Sequence, residues 1–65
     1  MPDGFYNDVV RELRRLGYEY AGNAKGSHEK WEHGSSGRRL IVPRNMKSRH
    51  TANAVLKASG SGLHL

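Results

Sequence analysis

Cysteine is absent from the chain. That excludes a disulfide framework, thiolate metal ligation and a cysteine nucleophile. Aromatic residues are few, with one Trp, one Phe and three Tyr, and only two prolines interrupt the chain. No run approaches the roughly 20 consecutive apolar residues of a membrane span, and no basic start leads into an apolar stretch with a small-residue cleavage site. The expectation is a cytoplasmic protein with no membrane contact. The four histidines, at 28, 33, 50 and 64, form no His-x-x-x-His or His-x-x-Glu-His arrangement, so no protein metal site and no cofactor are expected.

The 65 residues suffice for one domain with a thin core, because a chain this short hides only about 60% of its unfolded surface. The apolar positions Phe5, Val9, Val10, Leu13, Leu16, Tyr18, Tyr20, Trp31, Leu40, Ile41, Val42, Val55 and Leu56 are spread along its length. Residues 1–60 are read as the domain and 61–65 as a short tail.

Positive charge is concentrated in one segment. Residues 1–24 hold three arginines against four carboxylates, whereas residues 25–49 hold seven Lys and Arg against two, and residues 50–65 add only Lys57. A contiguous excess of this kind attracts polyanions by counterion release and long-range steering.

Phe5, Val9, Leu13 and Leu16 recur at helical period, with Tyr6 and Val10 widening the stripe, Asp3 as the cap and Gly17 beyond the last turn. Tyr18–Ala21 alternates as a strand with both tyrosines on one side, and Gly22–Gly26 is turn material. Ser27–Glu32 alternates again, with Ser27, Glu29 and Trp31 in one phase and His28, Lys30 and Glu32 in the other. His33–Gly37 reads as a hairpin loop, Arg38–Val42 as a strand closed by Pro43, and Arg44–His50 as a basic loop. Thr51 is the expected cap of a final helix over Ala52–Ala58, ended by Gly60. The predicted fold is α+β, in the order α-β-β-β-α, with a three-stranded antiparallel sheet carrying two helices on one face. The other face is open, with His28, Lys30 and Arg39 on it. Trp31, Tyr18 and Tyr20 are read as core residues.

His28 is the one residue in a catalytic setting. It follows Gly26 and Ser27 where a turn enters a strand, with Lys25 and Lys30 beside it. RNA carries its own nucleophile, the 2′-hydroxyl, so scission needs proton transfer and stabilisation of charge on the phosphate. An imidazole serves the first need, lysine and arginine the second. The Gly26–Ser27 amides can donate to a phosphate oxygen. Arg44, Lys47 and Arg49 are expected to position the backbone without reading sequence. His33 and His50 are placed in loops, His33 within reach of a second proton-transfer role.

Leu13-Arg14-Arg15-Leu16-Gly17-Tyr18, Lys25-Gly26-Ser27-His28, Gly37-Arg38-Arg39-Leu40-Ile41-Val42-Pro43 and Thr51 through Gly60 together resemble the HicA, or YcfA-like, family of small toxins from toxin–antitoxin systems. The pieces cover nearly the whole domain in order. The resemblance implies a fold like that of double-stranded RNA-binding domains, metal-independent cleavage of mRNA with His28 catalytic, and neutralisation by a HicB-type antitoxin covering the catalytic face. RNA binding is then expected of Lys25, Gly26, Ser27, Lys30, Arg39, Arg44, Lys47 and Arg49. One departure is Asn45, where relatives often carry histidine; an amide hydrogen-bonds but exchanges no proton near neutrality. A non-catalytic double-stranded-RNA-binding domain and an adaptor for an acidic protein are the competing readings.

Overall fold

The computed structural model describes residues 4–65. Their elements are α1 (Tyr6–Leu16), β1 (Tyr18–Asn23), β2 (His28–His33), β3 (Arg39–Pro43) and α2 (Arg49–Ser59). The strands form one antiparallel sheet in the order β1-β2-β3, with β2 central. This is the expected α-β-β-β-α architecture, with both helices on one sheet face. Among the described residues no helix is long and apolar enough to cross a membrane.

The periodic stripe of α1 enters the core as Val9, Val10 and Leu13, against Tyr18 and Trp31 from the sheet and Ala52, Val55 and Leu56 from α2. Strand alternation places Trp31, Leu40 and Val42 under the helices. Ile41 keeps half its surface in solvent on the opposite face (52% exposed). Tyr20 departs from its expected burial, at 50% exposed. It shares the phase of Tyr18, but it sits on an edge strand where a bulge between Tyr20 and Gly22 breaks the register, and its hydroxyl donates to Asn23 Oδ1 (2.7 Å).

The helix ends differ in instructive ways. Asp3, the expected cap of α1, lies outside the described residues. The N-cap position of α1 is Phe5, whose side chain cannot cap; its backbone N–H instead donates to the Met46 carbonyl (2.7 Å). A Cβ at Gly4 would collide with that same carbonyl, so the approach requires glycine there. Gly17 ends α1 in the left-handed region (φ 103°), as expected.

α2 is capped by Ser48, not Thr51: the Thr51 N–H donates to Ser48 Oγ (3.4 Å), and the helix starts three residues earlier than expected. Both residue types cap well, and the bond takes the one whose backbone is extended. Arg49 and His50 thereby move from loop into helix. Met46, in the segment read as a basic loop, is buried at 2% exposure. At the far end Gly60 and Ser61 close α2 with N–H bonds to Lys57 O and Leu56 O (3.1 Å each).

The tail is tied down. Leu65 N–H donates to Asn53 Oδ1 (2.8 Å) and Leu65 packs on the core, whereas Leu63 stays 43% exposed. Ser61 Oγ donates to Glu12 (2.6 Å), a buried carboxylate of α1 that also takes two bonds from the Arg15 guanidinium (2.7 Å each). The Arg15 bonds, then the Ser61 hydroxyl, hold the Glu12 carboxyl down from 4.5 to about 2. A carboxyl depressed on folding stabilises the domain above its unfolded value and loses that contribution as pH falls through the folded one. Melting temperature is therefore expected to fall between pH 4.5 and pH 2, and Glu12→Gln to flatten that part of the profile. An unchanged slope in the variant would contradict the assignment.

Candidate nucleic-acid interface

The β1–β2 turn is built around Gly26, whose φ of +61° favours glycine while nothing crowds its Cβ position. The turn closes through the His28 N–H on Lys25 O (3.0 Å) and the Ala24 N–H on His28 O (2.9 Å). The Lys25 carbonyl also lies 3.1 Å from His28 Nδ1. A carbonyl only accepts, so the contact selects the proton on Nδ1 and leaves Nε2 free on an exposed side chain. The histidine is thus oriented by its own turn.

In the sheet register His28 pairs with Pro43, and the next N–H, from Arg44, donates to Ser27 O (2.9 Å). The β1–β2 turn and the β3–α2 loop therefore meet at one end of the sheet. That end gathers Lys25, Gly26, Ser27, His28 and Arg44.

The remaining predicted contacts are divided by the fold. Lys30 lies on the open face opposite Ile41. Arg39 is also exposed, but it pairs with Glu32 (4.0 Å), four positions along β2 from His28, or about 13 Å. Arg44, Lys47 and Arg49 lie toward the helix side: Arg44 over the Tyr6 ring (5.7 Å), Arg49 over Phe5 (5.8 Å), and Lys47 with Arg44, Asn45 and Tyr6 around a shallow depression of about 410 Å³. Sequence contiguity had merged two surfaces that meet only at the turn.

His33 is not a loop residue. It ends β2, roughly 17 Å along the strand from His28, with Nε2 donating to Leu16 O (2.9 Å) and Nδ1 accepting from the Ser36 N–H (3.2 Å). Both nitrogens are engaged in holding the hairpin loop to the end of α1. His50 is exposed on α2, and His64 contacts Gly62 O (3.4 Å) in the tail. Among the described residues no three His, Asp or Glu side chains converge as metal ligands would.

A cluster that sequence reasoning did not assign lies directly behind His28. Glu29 is 3% exposed. Its Oε1 accepts from the Tyr6 hydroxyl (2.6 Å) and from Trp31 Nε1 (2.9 Å), and its Oε2 lies 3.5 Å from the Arg44 guanidinium. Burial first, then the Glu29 hydrogen bond, pushes the Tyr6 hydroxyl up to about 12, so it stays a donor throughout the physiological range. The signal was present in the alternation, which put a carboxylate in phase with Trp31 on the covered side. A buried charge requires partners.

The chain is a small α-β-β-β-α domain with an oriented histidine at a basic turn. The family model for the HicA toxin of bacterial toxin–antitoxin systems matches residues 6–60, and the chain belongs to that family. Comparison with curated proteins and with solved structures gave no match.

Proposed function

We propose that the chain is the toxin component of a toxin–antitoxin pair and an endoribonuclease that cuts mRNA without a metal, with His28 in proton transfer. The observation that carries this reading is the Lys25 carbonyl on His28 Nδ1, which leaves Nε2 free on an exposed side chain at the end of the sheet where the Gly26–Ser27 turn meets the Arg44 backbone. In the reaction the RNA 2′-oxygen attacks the adjacent phosphorus and the bond from phosphorus to the 5′-oxygen breaks, leaving a 2′,3′-cyclic phosphate and a 5′-hydroxyl. One proton leaves the 2′-oxygen and one reaches the 5′-oxygen; Nε2 mediates one of these transfers. Lys25, Arg44 and the turn amides hold the phosphate and the charge that grows on it.

Lys30 and Arg39 on the open face, and Lys47 and Arg49 near the start of α2, supply backbone contacts on the two sides of the turn. Asn45 lines the depression beside Arg44 and offers an amide to the RNA without exchanging a proton. A HicB-type antitoxin that covers the turn neutralises the toxin by blocking these groups together.

Long single-stranded RNA incubated with the protein in excess chelator is expected to give fragments ending in cyclic phosphate. Intact RNA at high protein concentration would remove the nuclease reading. Salt-sensitive binding without scission would favour the non-catalytic RNA-binding alternative.

A further inference from the structure

Arg14 belongs to the half of the sequence with no positive excess, yet the fold seats it on a ring tied to the same buried carboxylate that meets Arg44. It is exposed on α1, two turns beyond Tyr6 on the same flank, and its guanidinium lies over the Trp31 ring (5.3 Å). Arg11 pairs with Asp8, Arg15 with Glu12 and Arg39 with Glu32; Arg14 takes part in none of the ion pairs among the described residues.

Trp31 and Tyr6 are the two side chains that donate to Glu29 Oε1. The same two rings carry Arg14 and Arg44. One buried carboxylate therefore fixes two aromatic platforms, and each platform carries a guanidinium. Their anchors on β2, Glu29 and Trp31, are two residues apart on one face, a stride of about 7 Å. Arg44 keeps 66% of its side chain exposed, so much of its donor fork faces solvent. Arg14 and Arg44 both act on the Tyr6 hydroxyl through their charge, which places them in one electrostatic neighbourhood.

We propose that Arg14 and Arg44, seated on the platform held by Glu29, form a phosphate-binding pair, and that a single RNA strand continues from the His28 turn along the α1 flank, in addition to the open-face contacts of Lys30 and Arg39. Negative charge and a flexible row of phosphates are what two exposed guanidiniums seated on linked platforms recognise. The inference deepens the RNA reading and rests on it.

The test uses the full chain carrying His28→Ala, so that RNA survives, with a fluorescein-labelled 12-nucleotide oligouridine titrated over a salt series. Each arginine contact with single-stranded RNA contributes a slope of about 0.7 in log K against log salt. Arg14→Gln is expected to lower the slope by about 0.7, and Arg14→Gln with Arg44→Gln by about 1.4. Arg14→Lys retains the slope by keeping the charge, and Arg11→Gln, whose residue is occupied by Asp8, leaves it unchanged. An unaltered slope in Arg14→Gln, or loss confined to Lys30→Gln and Arg39→Gln, overturns the proposed path while leaving RNA binding intact. Absence of salt-dependent binding by the His28→Ala parent removes the RNA reading and this inference with it. Binding in that parent without cleavage by the unmodified protein would sink only the nuclease step.

Discussion

Glu29→Ala is expected to destabilise the domain by about 3 kcal/mol, because it strands two donors at once. Trp31 Nε1 is buried with no other acceptor among the described residues, and the Tyr6 hydroxyl loses its bond in a partly buried site. Each unsatisfied donor costs on the order of 1–3 kcal/mol. Arg44 adds little to the loss because its exposed end returns to water. A domain of this size shifts by about 4–8 °C per kcal/mol, so thermal unfolding followed by far-ultraviolet circular dichroism should move down by roughly 12–24 °C. Glu29→Gln keeps an acceptor oxygen and should cost about 1 kcal/mol. If Glu29→Ala melts within 2 °C of the unmodified protein, the hub is not a structural anchor.

The largest functional effect is expected at the neighbouring residue. His28→Ala should lower the single-turnover rate of RNA cleavage by about 10²–10⁴, the range of a lost proton-transfer group. Stability should change by no more than about 0.5 kcal/mol, because the side chain is exposed and its one hydrogen bond, to Lys25 O, lies in the turn. The contrast between the two positions is informative: Glu29 acts on folding and His28 on rate, although they are adjacent in the chain. Cleavage by His28→Ala within threefold of the unmodified protein would show that the oriented imidazole is not the reactive group. A matching loss of stability would assign His28 to folding.

Much of the fold was legible because local pattern and tertiary packing agree. Val9 and Leu13 repeat at helical spacing and are both fully buried, and the β2 alternation correctly separated Glu29 and Trp31 from His28 and Lys30. Gly17 fell at the left-handed position that ends α1. The misreadings lie where the deciding partner is distant in sequence. A single Met46 among polar neighbours carries no periodicity, and its burial follows from α1 meeting the β3–α2 loop. Ser48 and Thr51 are equally good caps by type, so only the backbone path separates them. The Glu29 hub joins Tyr6 and Arg44 from two other elements, and alternation could say that a carboxylate was buried without saying what would satisfy it.

The same limit shaped the site. His28, Lys25, Gly26 and Ser27 are contiguous, so their grouping survives any register. Lys30 and Arg39 share the open face, but the strand pairing sets Arg39 opposite Glu32 and away from the turn, whereas Arg44 comes to Ser27 through a backbone bond across β2 and β3. Arg14 lay outside the basic segment and was invisible to a count of charges. Its position is a property of α1 packing over β2.

If the RNA supplies the nucleophile and His28 moves a proton, one modified substrate shows it directly. Once a cut site is mapped, the oligonucleotide is remade with a single 2′-deoxynucleotide immediately 5′ of the broken bond. Loss of cleavage at that bond alone, with a cyclic phosphate end on the all-ribose control, is the predicted result. Cleavage of the deoxy-substituted bond at the original rate would contradict it, because no attack by the missing hydroxyl could then have occurred.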